Sequence, residues 1–243
     1  MNPDEYANLE RMERRHWYYA GKRMIVRDWL GRVRPPRPED VLLDCGAGTG
    51  FFAKEMEAQC RVLVLDNHEE SLERLRTRFR PEQVIAVDGD RVPLPPASLD
   101  FVTALDVLEH VPDDGAVVRG FAELLRPGGV AVVTVPAGME LWSDWDVVLH
   151  HYRRYRRAQL GALFGASEWE IVHLNYTNVF AYPAVWLVRK SRLQRRRDSA
   201  TRSEQKLPPS LINWLLRLQF TRPARWRMPF PFGVSLLLVA RRR

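Results

Sequence analysis

Apolar residues along this chain fall into two alternating patterns. Short unbroken runs occur at Val41–Asp44, Arg61–Asp66 (RVLVLD), Gln83–Val87, Asp100–Leu105 and Val130–Val135. Runs of this length, rich in branched side chains, are strands buried on both faces. Between them lie Phe51–Gln59, Glu69–Phe79 and Asp114–Leu125, which recur at helical spacing and gather their charges on one side. Strand followed by helix, repeated, predicts a parallel sheet covered on both faces. The turn Arg126-Pro127-Gly128-Gly129 ends the third of these helices and starts the fifth strand. Upstream, residues 4–33 read as helical, with Leu9, Met12, Met24, Ile25, Trp29 and Leu30 on the apolar side, until RPPRPED breaks the pattern.

After Ala137 the alternation changes. Residues 138–158 are a loop or short helix rich in Trp, Asp, His, Tyr and Arg. Arg157–Phe164 reads as a helix, Trp169–Tyr176 as a strand and Gly233–Arg241 as the last strand. The segment between these two strands is far longer than a hairpin needs. It holds an apolar stretch (VFAYPAVWLV), a basic run (RKSRLQRRR), a polar linker and a second amphipathic stretch (LINWLLRLQF).

Composition adds one thing to this picture. With 243 residues, 46% of them hydrophobic, the chain is globular and not disordered. Its net charge of +7 is unevenly placed: residues 177–243 hold 15 Lys+Arg and two acids, whereas residues 1–176 hold 22 basic and 28 acidic residues. The excess belongs to one segment, which points to a local anionic partner. Two cysteines, Cys45 and Cys60, cannot build a disulfide framework, so a reducing, cytoplasmic setting is expected. The charged start, MNPDEYANLERMERRHW, has no apolar core of a secretory leader. The longest apolar runs, Val179–Val188 and Met228–Ala240, are shorter than the roughly 18 residues of a spanning helix.

The chemistry concentrates at strand ends. VLLDCGAGTG, residues 41–50, runs from a strand into a helix, and its glycines let the backbone approach a ligand. A dinucleotide fingerprint G-x-G-x-x-G would need glycine at Phe51; the spacing here is D-x-G-x-G-x-G from Asp44 through Gly46, Gly48 and Gly50. Asp66 ends the next strand, 16 residues past Gly50, where a carboxylate can accept both hydroxyls of a ribose. VDGD (87–90) follows the third strand, and Asp90 could accept from an adenine amino group.

These residues, with Leu94-Pro95, LDVLEHV at 105–111 and the Leu125–Gly129 turn, make residues 41–137 resemble a class I S-adenosylmethionine-dependent methyltransferase of the type 11 small-molecule group. The flanks resemble one subgroup, through Arg15-His16-Trp17-Tyr18, Leu141–Tyr155 and PFGVSLL, so the likeness extends over nearly the whole chain. It implies an α/β, doubly wound, Rossmann-like sheet of seven strands, mostly parallel with one antiparallel strand near its edge. A helical N-terminal cap and linker would occupy 1–38, the S-adenosylmethionine-binding core 39–176, a basic, aromatic-rich helical insertion 177–232, and the last strand with a basic tail 233–243. By the same resemblance Gly46, Ala47 and Gly48 line the methionine part of the cofactor. Asp66 holds its ribose, Asn67 lies beside the adenine, Asp90 and the backbone of Arg91 face that ring, and the backbone near Leu105 meets the amine.

The implied activity is methyl transfer to a small, hydrophobic acceptor, at oxygen. Catalytic candidates are His110 and Asp106 past the fourth strand, and His151 and Tyr155 past the fifth. Asp146, Arg153 and Arg154 stand ready for a polar head group. His16-Trp17-Tyr18 is either a lid or an amphipathic helix. A divalent metal on Asp106, Glu109 and His110 is an alternative suggested by ubiquinone-pathway O-methyltransferases, and is not favoured. Glu109 and His110 could also merely pack the loop. The insertion is a lid over the acceptor, a solvated basic face, or a contact with an anionic membrane surface. Nucleic acid is not expected, since neither a recognised binding module nor the motif of nucleic-acid amino-methylating enzymes is present. The alternatives in function are a cofactor-binding protein that does not methylate, such as a cyclase or regulatory binder, and a peripheral membrane interaction protein.

Overall fold

The structure is a computed structural model that describes residues 10–87, 92–190, 207–226 and 228–243. Its apolar runs form seven strands: β1 (Val41–Cys45), β2 (Arg61–Asp66), β3 (Val84–Ala86), β4 (Leu99–Leu105), β5 (Leu125–Pro136), β6 (Trp169–Thr177) and β7 (Ser235–Arg242). They build one sheet in the order β3-β2-β1-β4-β5-β7-β6. All neighbours are parallel except β7, which runs antiparallel to both β5 and β6. The continuous apolar character of β1, β4, β5 and β7 follows from this placement, since central strands are covered on both faces.

One face carries α1 (Trp17–Val33), α2 (Phe51–Met56), α3 (Glu69–Arg78) and, from the insertion, α8 (Ser210–Ala224). Ile25, Val26, Trp29 and Leu30 of α1 and Phe220 and Ala224 of α8 join Leu42, Phe101, Val132 and Leu237 in one cluster. The N-terminal cap is therefore a layer of the core. α1 and α8 run side by side: Asn213 accepts from the Trp17 N–H and donates to the Arg15 carbonyl, both at 2.9 Å, and Trp29 Nε1 donates to the Ala224 carbonyl at 2.9 Å. Gly21 allows the close approach, since a Cβ there would lie 2.7 Å from the Phe220 ring. The opposite face carries α4 (Asp114–Leu124) and α6 (Arg157–Leu163), through Val118, Phe121 and Leu160. α5 (Asp144–Val148) and α7 (Tyr182–Lys190) lie in the connections.

Boundaries shift where turns were read as breaks. The Leu125–Gly129 segment lies within β5: Leu125 pairs with Leu99 and Val130 with Phe101, and Gly128 at φ +81° absorbs the irregularity between them. α2 stops at Met56, three residues before its expected end at Gln59. Strand order reverses between β1 and β4, which opens a crevice at the carboxyl ends of those strands.

Trp29 is fully buried and stacks on His173 with ring centroids 3.9 Å apart. Trp29→Ala should cost about 3–5 kcal/mol of stability in urea denaturation, because both the sheet face and the contact with α8 lose their filling.

Candidate functional site

The turn after β1 holds Gly46, Gly48 and Gly50 at φ +66°, +55° and +76°, all in the left-handed region. Their surroundings differ. A Cβ on Gly46 would lie 2.6 Å from Val107, and one on Gly50 2.5 Å from Phe79, so packing forbids a side chain at either position. At Gly48 nothing lies within 4 Å, and the backbone there faces open space. Asp66 Oδ2 accepts the Gly48 N–H at 2.9 Å and Oδ1 accepts that of His68 at 3.0 Å. Each oxygen keeps a lone pair, so two further hydroxyls can be accepted. Asn67 is exposed beside it and Ala47 is half-buried. Asp90 and Arg91 lie outside the described residues.

Asp44 does not reach the open face. It is buried, accepts the Thr103 hydroxyl at 2.7 Å, and burial followed by the nearby Asp66 charge pushes its carboxyl up to about 7. It braces the two strands at the reversal point. Leu105 pairs with Thr134 at the end of β4.

Past β4 the chain turns sharply at Asp106, φ +59°. Three side chains from two elements hold its carboxylate: Lys22 of α1 pairs with Oδ2, Tyr18 Oη of the same helix donates to Oδ2 at 3.3 Å, and Thr134 Oγ1 of β5 donates to Oδ1 at 2.8 Å. Burial opposes its ionisation, but Lys22 together with Thr134 and Tyr18 holds the carboxyl below its usual range. Its carboxylate is thus held by Lys22, Tyr18 and Thr134, apart from the Asp106, Glu109 and His110 metal set that the resemblance offered as an unfavoured alternative.

The turn Leu108–His110 brings up a different set. Glu109 is 1% exposed, and neither of its oxygens has a hydrogen-bond partner. Burial, with Asp106 nearby, raises its carboxyl well above the usual range. His110 meets His151 edge-on at 4.6 Å between ring centroids. Burial and that neighbour lower the pKa of His110. One ligand atom from each of Glu109, His110 and His151 lies within 4.8 Å of the others, a donor set that a divalent transition metal accepts.

His151 arrives from the loop after β5. Its Nδ1 lies 3.0 Å from Asp146 Oδ1, so Nε2 is the ring nitrogen outside that contact. Asp146 is fully buried on α5 and also receives Arg154 Nη1 at 2.6 Å, Arg189 Nη1 at 3.0 Å and the Ser143 N–H at 3.0 Å. Burial works against its charge, yet the His151 hydrogen bond and the two guanidiniums hold its carboxyl well below the usual range. The Tyr152 N–H donates to the Glu109 carbonyl at 2.7 Å and fastens the two loops together.

Two expectations for this loop change. Tyr155 Oη donates to Asp114 Oδ2 at 2.7 Å and lies 3.1 Å from the Leu108 carbonyl oxygen. Burial and the Asp114 bond push its pKa far up, so it serves as a post and not as a base. Arg154 spends its donors on Asp146, Ala137 and Gly138 and is not offered to a head group. Arg153 pairs with Asp114 at 2.7 Å.

The N-terminal segment also covers the glycine turn. Glu13 accepts from the Thr49 hydroxyl, Arg78 donates to the Thr49 carbonyl and pairs with Glu10 at 2.6 Å, and Arg23 binds the Glu13 carbonyl at 2.6 Å. No local pattern marked Glu13, Lys22 or Arg78, whose partners lie 84 residues apart in the case of Lys22 and Asp106.

Residues 43–133 match the family model of the methyltransferase domain called Methyltransf_11. They form a class I methyltransferase domain of the type 11 group. The family's cofactor is S-adenosylmethionine. The chain is 34% identical over 151 residues to 27-O-demethylrifamycin SV methyltransferase of Amycolatopsis mediterranei, covering 56% of this chain and 52% of that protein. It is 30% identical over 160 residues to the ubiquinone biosynthesis O-methyltransferase of Yersinia pestis, covering 58% and 64%. The chain thus spans about half to two thirds of the length of these curated relatives. A solved S-adenosylmethionine-dependent methyltransferase from Thermotoga maritima superposes with a TM-score of 0.64 at 16% identity, covering 99% of this chain and 96% of that one, and shares the fold. Among the described residues of the chain, no helix is long and apolar enough to cross a membrane.

The Asp44 carboxyl sets a pH test. A carboxyl raised by folding keeps its proton longest in the folded state, so its contribution to stability falls as pH rises from about 4 through about 7. Asp44→Asn removes that penalty and can still accept from Thr103. In thermal melts followed across pH, the variant should match the parent near pH 4 and exceed it near pH 8 by roughly 2–4 kcal/mol.

Proposed function

We propose that this methyltransferase moves a methyl group from S-adenosylmethionine to a hydroxyl oxygen of a small, hydrophobic acceptor. The observation that carries the reading is the His151–Asp146 pair, held 3.0 Å apart at the carboxyl edge beside the glycine turn. A hydroxyl must lose its proton as it is methylated, and an imidazole backed by a buried carboxylate is built to take it. The O-methyltransferase name of the Yersinia relative agrees with oxygen as the acceptor atom.

The open backbone at Gly48 and the free lone pairs of Asp66 fit the cofactor. Gly46, Ala47 and Gly48 would hold its methionine part, Asp66 its ribose, and Asn67, Asp90 and Arg91 its adenine, with the Leu105 backbone at the amine. When bound, the cofactor supplies a methyl group already activated on a sulfonium, so alignment provides much of the acceleration. His151 accepts the acceptor's proton at Nε2. Asp146 fixes the ring and stabilises the imidazolium that forms. His110, kept neutral, lines the approach to His151.

The orphaned Glu109 carboxyl supports a second reading, in which Glu109, His110 and His151 would hold a divalent cation that would supply Lewis-acid activation of an acceptor hydroxyl. The two readings separate on chelation. Proton transfer by His151 alone predicts turnover that survives dialysis against a strong chelator, and the metal reading predicts its loss and recovery on adding a divalent ion.

Calorimetry should detect binding of both S-adenosylmethionine and S-adenosylhomocysteine, and Asp66→Ala should weaken it about tenfold or more. His151→Ala should lower kcat about 10²–10⁴-fold on a hydroxylated acceptor while leaving cofactor affinity in place. Binding of neither ligand to the parent would contradict the reading.

A further inference from the structure

We propose that the two insertion helices, α7 and α8, dock this protein on an anionic membrane surface. Insertion residues 177–232 contain 12 Lys+Arg and two acids. Among the described residues, 11 of the 17 exposed large hydrophobics lie in this segment, too concentrated to be scattered surface apolars. α7 buries no residue at all: Trp186, Leu187 and Val188 are 40%, 63% and 51% exposed. The first turns of α8 repeat this, with Leu211, Ile212, Trp214 and Leu215 between 48% and 68% exposed. Only the far end of α8, from Phe220 onward, is buried against the sheet and α1.

Both exposed stretches are tied to the edge of the sheet that carries the candidate site. Arg189 of α7 binds Asp146 and the Leu141 carbonyl. Asn213 of α8 binds the backbone of Arg15 and Trp17, next to the Tyr18 that reaches Asp106. The charge on the two helices has one sign: Arg189, Lys190, Arg217 and Arg222, with no acid. Lys190 Nζ lies 5.5 Å from the centre of the Trp186 ring, a cation and an indole side by side. Indole and aliphatic side chains interleaved with cations suit the boundary between acyl chains and anionic headgroups. Since no described helix can span a bilayer, the contact is at its surface. A nucleic acid would satisfy the cations but would leave the exposed Leu, Ile and Val side chains in water, which favours lipid as the partner.

The inference stands apart from the methyl-transfer reading, because it is measured without cofactor or acceptor. The full chain would be floated with vesicles of phosphatidylcholine alone, or mixed with phosphatidylglycerol, at about 0.05 M and about 0.5 M salt. An RNA homopolymer would be assayed in parallel. The expected result is partition into the phosphatidylglycerol vesicles at low salt, weakened about tenfold or more at high salt. Trp186→Glu combined with Trp214→Glu should weaken it by at least as much, with an unchanged melting temperature. Brominated lipid should quench tryptophan fluorescence of the bound parent, which tests insertion without any substitution. The proposal is overturned by absence of binding to anionic vesicles at both salts, by binding without quenching, by full binding of the folded double variant, or by binding to RNA without binding to vesicles.

Discussion

Asp146 is an ionised carboxylate with no exposure to water, and His151 and Arg154 of one loop and Arg189 of the insertion converge on it. Arg154 carries the contact on to the carbonyls of Ala137 and Gly138 at the end of β5. Arg189 brings in the start of the insertion. His151 is the proposed proton acceptor. A buried charge is tolerated only when its partners are complete, so losing one of them leaves several kcal/mol of desolvation uncompensated. That constraint makes the loop after β5, the insertion and the imidazole a single mechanical unit.

A second buried pair works in the same way on the other side of the crevice. Lys22 and Asp106 join the N-terminal helix to the end of β4, with Tyr18 and Thr134 completing the carboxylate's contacts. Because α1 and α8 also share one sheet face, the N-terminal segment and the insertion are coupled through packed side chains around Phe220. His110 and His151 meet edge-on, and His151 shares Asp146 Oδ1 with Arg154.

The sheet was legible because its central strands are covered on both faces and so appear as unbroken apolar runs. The glycine turn was legible because Gly46 and Gly50 have no room for a Cβ and all three glycines sit at positive φ, demands that leave a local mark. Side-chain partnerships were not legible, since they join distant segments. Asp106, Glu109 and His110 have the spacing of a ligand set, yet the left-handed turn at Asp106 delivers its carboxylate to Lys22, and the third member of the cluster, His151, comes from 41 residues further on. Tyr155 and Arg154 looked available in sequence, but the end of β5 and the start of α4 claim them. The basic excess was visible from charge counting, whereas the exposed faces of α7 and α8 depend on where the core ends.

The central claim is that one crevice holds the cofactor on Asp66 and presents the acceptor to His151. A structure of the full chain with S-adenosylhomocysteine bound tests it most directly. The account predicts both ribose hydroxyls on the Asp66 carboxylate and the sulfur turned toward the side of the crevice where His151 lies, with Nδ1 still on Asp146. A ligand bound elsewhere, or one whose sulfur points away from His151, would contradict it.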